Sequence, residues 1–105
     1  MRLASVLTPL SDENLRLAAQ CGVTDIVDRY PGPALEDVLN VKARVEAFGL
    51  RLAAIEGYVP MENLIFGRDD GTELSAMKNL LRHLSEAGVP ILCYNFMAEI
   101  GRAHV

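Results

Sequence analysis

Three stretches of the chain share one pattern. They are Cys21-Gly22-Val23-Thr24-Asp25-Ile26-Val27, Phe48-Gly49-Leu50-Arg51-Leu52-Ala53-Ala54-Ile55 and Ala87-Gly88-Val89-Pro90-Ile91-Leu92-Cys93-Tyr94. In each, a helical spacing of apolar residues stops at a glycine, and a short apolar run begins one residue later. Glycine fits the left-handed position just past a helix end, where a side chain would clash. A short, near-continuous apolar run predicts a strand buried on both faces, as in a parallel sheet. The glycines recur at intervals of 27 and 39 residues, close to the roughly 30 of a strand–helix–strand unit. The extra residues of the longer interval fall between Gly57 and Gly71.

The intervening helices carry their own signals. Ser11 predicts an N-cap, and Asp12 and Glu13 place negative charge in a first turn that favours it, in a helix ending about Gln20. Leu35, Val38, Val41, Val45 and Phe48 form one apolar stripe, with Glu36, Asp37, Lys42, Arg44 and Glu46 on the wet side. Thr72 is expected to cap a third helix with the stripe Leu74, Met77, Leu81 and Leu84. With Arg2–Leu7 as an opening strand, the order is β-α-β-α-β-α-β, an α/β chain with parallel strands and right-handed crossovers. A small doubly wound sheet and the N-terminal half of a (βα)8 TIM barrel both match this order. The doubly wound form wants a glycine-rich phosphate turn after the first strand and a closing helix after the last. Thr8-Pro9-Leu10-Ser11 has no glycine, and no such helix follows the fourth run. The half barrel is therefore the expectation.

Composition narrows the picture further. Ten Lys and Arg against fourteen Asp and Glu give a net charge of −4, the wrong sign for general nucleic-acid binding or an anionic membrane surface. No apolar stretch approaches the 18 or so residues that span a bilayer. Cys21 and Cys93 lack metal-finger or CxxC spacing and are expected to be reduced and packed, in a cytoplasmic protein.

Polar residues gather where the strands end, and in parallel α/β folds ligands meet those carboxyl ends. Glu56 directly follows four apolar residues. Its carboxylate could hold a metal, take a proton or bind a substrate hydroxyl, or else pair with Arg29 on the neighbouring strand end. Arg29 suits a substrate carboxylate, which it can grip with two parallel hydrogen bonds; its plainer role is a solvated loop charge. Asn95 could bond a sugar hydroxyl or simply cap the strand end. Tyr94 and Phe96 either pack the barrel or touch substrate. Cys93 reads as a small core residue, His83 as a wet helix-face residue, and Gly67–Gly71 as a mobile, charged loop that could form part of a lid. No cluster of His and carboxylates with metal-ligand spacing occurs.

Cys93-Tyr94-Asn95-Phe96-Met97, preceded by Ala87-Gly88-Val89-Pro90-Ile91-Leu92, is similar to the "AGI…VCYNFMP" fourth-strand motif of mannonate dehydratases. Ala54-Ile55-Glu56-Gly57-Tyr58-Val59-Pro60 resembles that family's "VVESVP", and Gly22-Val23-Thr24-Asp25-Ile26-Val27 its "GVTGVV". The resemblance runs from about Leu7 to Met97. Asp28-Arg29-Tyr30 stands where the family carries a histidine-bearing "ALH", and Ala98 where it carries proline. The resemblance implies a fragment of a metal-dependent lyase with a xylose-isomerase-like barrel, acting in hexuronate breakdown. Such an enzyme converts D-mannonate to 2-dehydro-3-deoxy-D-gluconate and water. It further implies a divalent manganese or iron ion in the full-length parent, whose His, Cys and Asp ligands lie in later strands and are absent from this chain. Cys93 is not that ligand cysteine. The implied partner is a sugar-acid substrate, with no nucleic acid and no membrane, and homo-oligomerisation of the parent stays open. A sugar isomerase or epimerase on the same scaffold is the alternative enzyme, and a complete non-catalytic binding module the alternative of another class.

Residues 1–97 are expected to form the partial barrel and residues 98–105 a truncated or artefactual tail. Ile100-Gly101-Arg102-Ala103-His104-Val105 is what one reading frame of a common short-read sequencing adapter encodes.

Overall fold

A computed structural model describes residues 1–57 and 61–94. Four strands are present among the described residues: β1 (Ala4–Val6), β2 (Asp25–Arg29), β3 (Arg51–Gly57) and β4 (Ile91–Tyr94). Four helices join them: α1 (Asp12–Gln20), α2 (Leu35–Ala47), α3 (Glu62–Ile65) and α4 (Thr72–Ala87). The strands form one sheet in the order β1-β2-β3-β4, and every pair is parallel. A doubly wound sheet reverses its strand order at a switch point. This one does not reverse. Sequential parallel strands with right-handed crossovers put every helix on the same side, which is the arrangement of half a (βα)8 barrel.

The core confirms that one-sidedness. Leu15 of α1, Val38 and Val45 of α2, and Leu80 and Leu84 of α4 pack in one cluster with Ile26, Leu52 and Ile55 of the central strands. Leu15, Ile26, Val38, Val45 and Ile55 are wholly enclosed. The opposite face has no layer over it among the described residues. Strand β4 is therefore not buried on both faces, as its apolar run predicts; Ile91 remains 53% exposed, and Val6 of β1 39%.

Local chemistry sets the helix ends. The Ser11 hydroxyl accepts from the Asn14 N–H at 3.1 Å, as predicted for α1. Asp37 reaches back from α2 to accept the Ala34 N–H at 3.0 Å. This places its carboxylate where a side chain at Gly32 would have to go, and Gly32 has φ +138°. At α4 the expectation changes. Thr72 is the first helical residue, not the cap. Asp69 supplies the missing acceptor, taking the N–H groups of Gly71, Glu73 and Leu74 at 3.1, 2.9 and 3.1 Å, while Asp70 takes that of Thr72 at 3.0 Å. The predicted mobile charged loop is thus a capping structure, bonded to α3 through Gly67 and Arg68 and to the start of α4 through Asp69 and Asp70.

The short helix α3 lies among the extra residues between Gly57 and Gly71, and Glu73 fixes its start by accepting the Asn63 N–H at 2.8 Å. Three other expectations shift. In α4 the buried side chains are Leu80, Leu84 and Ala87, while Leu74 and Leu81 are 43% and 49% exposed. The helix is rotated from the predicted stripe. His83 accordingly turns partly inward, with Nδ1 buried and unbonded. Cys21 and Cys93 are both exposed, not packed. The first follows the last turn of α1, and the second stands on an edge strand. Residues 58–60 and 95–105 lie outside the described set, and with them Asn95, Phe96 and the expected boundary at residue 98. No described helix is long and apolar enough to cross a membrane.

Candidate functional site

The carboxyl ends of the strands are built in layers. Register partners in parallel strands stand side by side on one face, and alternate residues share that face. Ala4, Asp25 and Arg51 form the first layer on the uncovered face. Val6, Val27, Ala54 and Ile91 form the second. Arg29, Glu56 and Cys93 form the third, at the rim.

This layering depends on an irregularity in β3. Ile26 pairs with Leu52, but the next residue, Val27, pairs with Ala54. Ala53 is the extra residue of a β-bulge, which changes the alternation beyond it. Leu52 and Ile55, three apart, consequently both face the helices. Glu56 then faces away from them, into the same row as Arg29. A regular strand would have set Glu56 against the helices.

The first layer is an ion cluster. Asp25 is 3% exposed, with Arg2 Nη2 at 3.2 Å and Arg51 Nη1 at 3.8 Å from Oδ1. The Thr24 hydroxyl donates to its Oδ2 at 2.7 Å. It ties the amino ends of β1, β2 and β3 together, at the end of a barrel that serves stability. The rim differs. Arg29 is exposed and Glu56 half-buried, and no ion pair joins them although they are register partners. The predicted salt bridge between them does not form, and a cation and an anion stand in one row at the rim.

Of the other predicted site residues, Tyr94 pairs with Gly57 and so stands on the helix side of β4, 63% exposed. Its neighbour Cys93 occupies the row with Arg29 and Glu56. The structure therefore brings Arg29 and Glu56 together and sets Tyr94 apart; Asn95 falls outside the described residues.

Asp28 is an acid that the sequence reading passed over. It lies on the face of Ile26, beneath the helices, and burial pushes its pKa up. A backbone hydrogen bond at Arg29 and the positive charges of Arg44 and Arg29 oppose that rise. Arg44 also donates to the Leu10 carbonyl at 2.7 Å and pairs with Asp12 at 3.2 Å. It thereby links α2 to the turn after β1. The signal was an aspartate inside a strand, alternating with Ile26.

Among the described residues no three His, Cys, Asp or Glu side chains converge as a metal site would require. Glu56 and Cys93 provide two donors in one row, with an arginine beside them. That set does not fit a resident divalent ion.

A family model described as D-mannonate dehydratase (UxuA) matches residues 9–104. The chain is 37% identical over 78 residues to the mannonate dehydratase of Streptococcus equi subsp. zooepidemicus, covering 71% of this chain and 21% of that protein. It is 35% identical over 98 residues to mannonate dehydratase 2 of Agrobacterium fabrum, covering 88% and 24%. The crystal structure of mannonate dehydratase from Streptococcus suis serotype 2 superposes with a TM-score of 0.76 at 29% identity. That match covers 92% of this chain and 30% of the other. The chain thus spans between about a fifth and a third of the proteins it matches.

Proposed function

The chain belongs to the D-mannonate dehydratase family, and from that premise we propose that it supplies part of the substrate rim of a sugar-acid hydro-lyase. The reaction converts D-mannonate to 2-dehydro-3-deoxy-D-gluconate: a base takes the proton next to the carboxylate, and the neighbouring hydroxyl leaves as water. Arg29 grips the substrate carboxylate and Glu56 accepts a hydrogen bond from a sugar hydroxyl. Asn95 serves a second hydroxyl in this reading, and Tyr94 flanks the rim from the helix side.

The observation that carries the reading is the shared row of Arg29 and Glu56 on the uncovered face, unpaired with one another. A substrate carboxylate would give the Arg29 guanidinium an ion-pair partner, which none of the described carboxylates provides within salt-bridge distance. A divalent ion, manganese or iron, would polarise the substrate oxygens when bound. In this reading later strands of the parent supply its ligands; the described residues offer no group of three. The 105-residue chain alone is expected to be inactive. We place the parent enzyme in the cytoplasm.

The test is made in a full-length enzyme carrying this segment. Arg29→Ala is expected to raise KM for D-mannonate by about 10–100-fold, a loss of roughly 1.4–2.8 kcal/mol of binding. Glu56→Gln is expected to have a smaller effect, since the amide oxygen still accepts a hydrogen bond. If both variants keep KM and kcat within experimental error, the rim assignment fails. Turnover of ketoses with none of mannonate would instead favour an isomerase.

A further inference from the structure

The third layer has a direction as well as a composition. Across the sheet it runs Arg29, Glu56, Cys93: a guanidinium on β2, a carboxylate on β3 and a thiol on β4. Strand β1 ends one layer lower, where Val6 pairs with Val27, and places no strand residue in this row. Beneath the row lies the apolar second layer, with Val27 under Arg29, Ala54 under Glu56 and Ile91 under Cys93.

We infer that this order fixes how the substrate lies: its carboxylate over β2, its chain across β3, and its far end over β4 against Cys93. The direction rests on the rim reading of Arg29 and Glu56 and adds a far subsite to it. A substrate carboxylate has one favourable position among the three. Arg29 pairs with it through two parallel hydrogen bonds. Glu56 next door repels it as a like charge, and a thiol is only a weak hydrogen-bond donor. From Arg29 the hydroxyl-bearing chain is drawn towards β3, where an acceptor stands, and not towards β1, which has ended. Neighbouring strands are about 4.8 Å apart, so Cys93 stands roughly 10 Å from Arg29 along the row. That span suits an extended, open-chain sugar acid better than a closed ring. The side chain of Cys93 is small and leaves room for the last carbon and its hydroxyl. A larger side chain there would take their place. Cys93 is in this way a specificity-determining residue that reads the length of the acid.

Peptide-resolved alkylation with iodoacetamide provides the first test, in a full-length enzyme carrying this segment. With D-mannonate held at about ten times its KM, labelling of Cys93 is expected to slow by about tenfold, following the fraction of sites left free. Cys21 lies just past α1, towards the amino ends of the strands, and is expected to keep its rate. The second test is Cys93→Leu. This variant is expected to raise KM for D-mannonate by about tenfold, while the inhibition constant of an aldonate one carbon shorter stays within about twofold. Arg29→Ala, by contrast, is expected to weaken both acids. Cys93 labelling that is absent, or equal with and without D-mannonate, would overturn the direction assigned here. So would equal losses of the long and the short acid in Cys93→Leu, since the side chain would then act on the fold and not on the ligand's far end. If Arg29→Ala leaves both acids unaffected, the rim reading itself falls and the direction with it.

Discussion

Both faces of this four-stranded sheet carry β-branched side chains, and these lead different lives. On the helix side, Ile26 and Ile55 are completely enclosed. On the other side, Val6 and Ile91 are part of an apolar layer that nothing described covers. The difference lies in what stands across from each face and not in the strands' own hydrophobicity. A β-branched side chain stabilises the fold only to the extent that something removes it from water.

Substitution would expose that contrast most sharply. Ile55→Ala is expected to cost about 2–5 kcal/mol, because the enclosing helices cannot collapse fully onto the cavity. Ile91→Ala, measured by urea unfolding in dilute solution, is expected to stay within about 0.5 kcal/mol. Equal losses at the two positions would mean that the second face is covered after all.

A middle-sized effect is expected at the edge of the packed face. Asp69→Ala removes the acceptor of three backbone N–H groups at the start of α4 and is expected to cost about 0.5–2 kcal/mol. Amide exchange should quicken at Glu73 and Leu74 in particular. If exchange there is unchanged, Asp69 is not the cap.

The smallest effect concerns Asp28, whose carboxyl is raised above its ordinary 3.8 chiefly by burial. A raised acid binds its proton more readily in the folded state. Its favourable contribution is full below the unfolded pKa and is lost as pH rises through the folded value. Asp28→Asn is therefore expected to stabilise the protein slightly at neutral pH and to lose that advantage near pH 4 and below. Unfolding curves at neutral and acid pH would check the sign. A larger gain at acid pH would show that the charge is favourable where it sits.

Much of the architecture was legible in the sequence because it depends on local, directional signals. Gly22, Gly49 and Gly88 mark helix ends with positive φ, Ser11 marks a cap, and the apolar stripe of α2 admits one reading. The misses came where two readings were equally periodic. Met77 and Leu84 belong to both candidate stripes of α4, so only packing could choose between Leu81 and Leu80. The four residues of α3 are too few to show a period, and Asp69 caps a helix from three residues before its start. At the rim, the strand ends named Arg29 and Glu56, but their common face depends on a bulge with no sequence mark. Cys93 and Tyr94 illustrate the same limit: adjacent in the chain, they stand on opposite faces, and register alone decides which meets Glu56.

That bulge has a consequence for how this segment can change over time. Ala53 is a surplus position in β3. Losing that codon would only make the strand regular, with Ala54, Ile55 and Glu56 keeping their partners and faces. Gaining one between Ala54 and Ile55 would instead send the Glu56 carboxylate under the helices and bring Ile55 to the mouth. Point replacements along β3 can be absorbed one at a time, but an added residue would exchange the wet and dry sides of all that follows it.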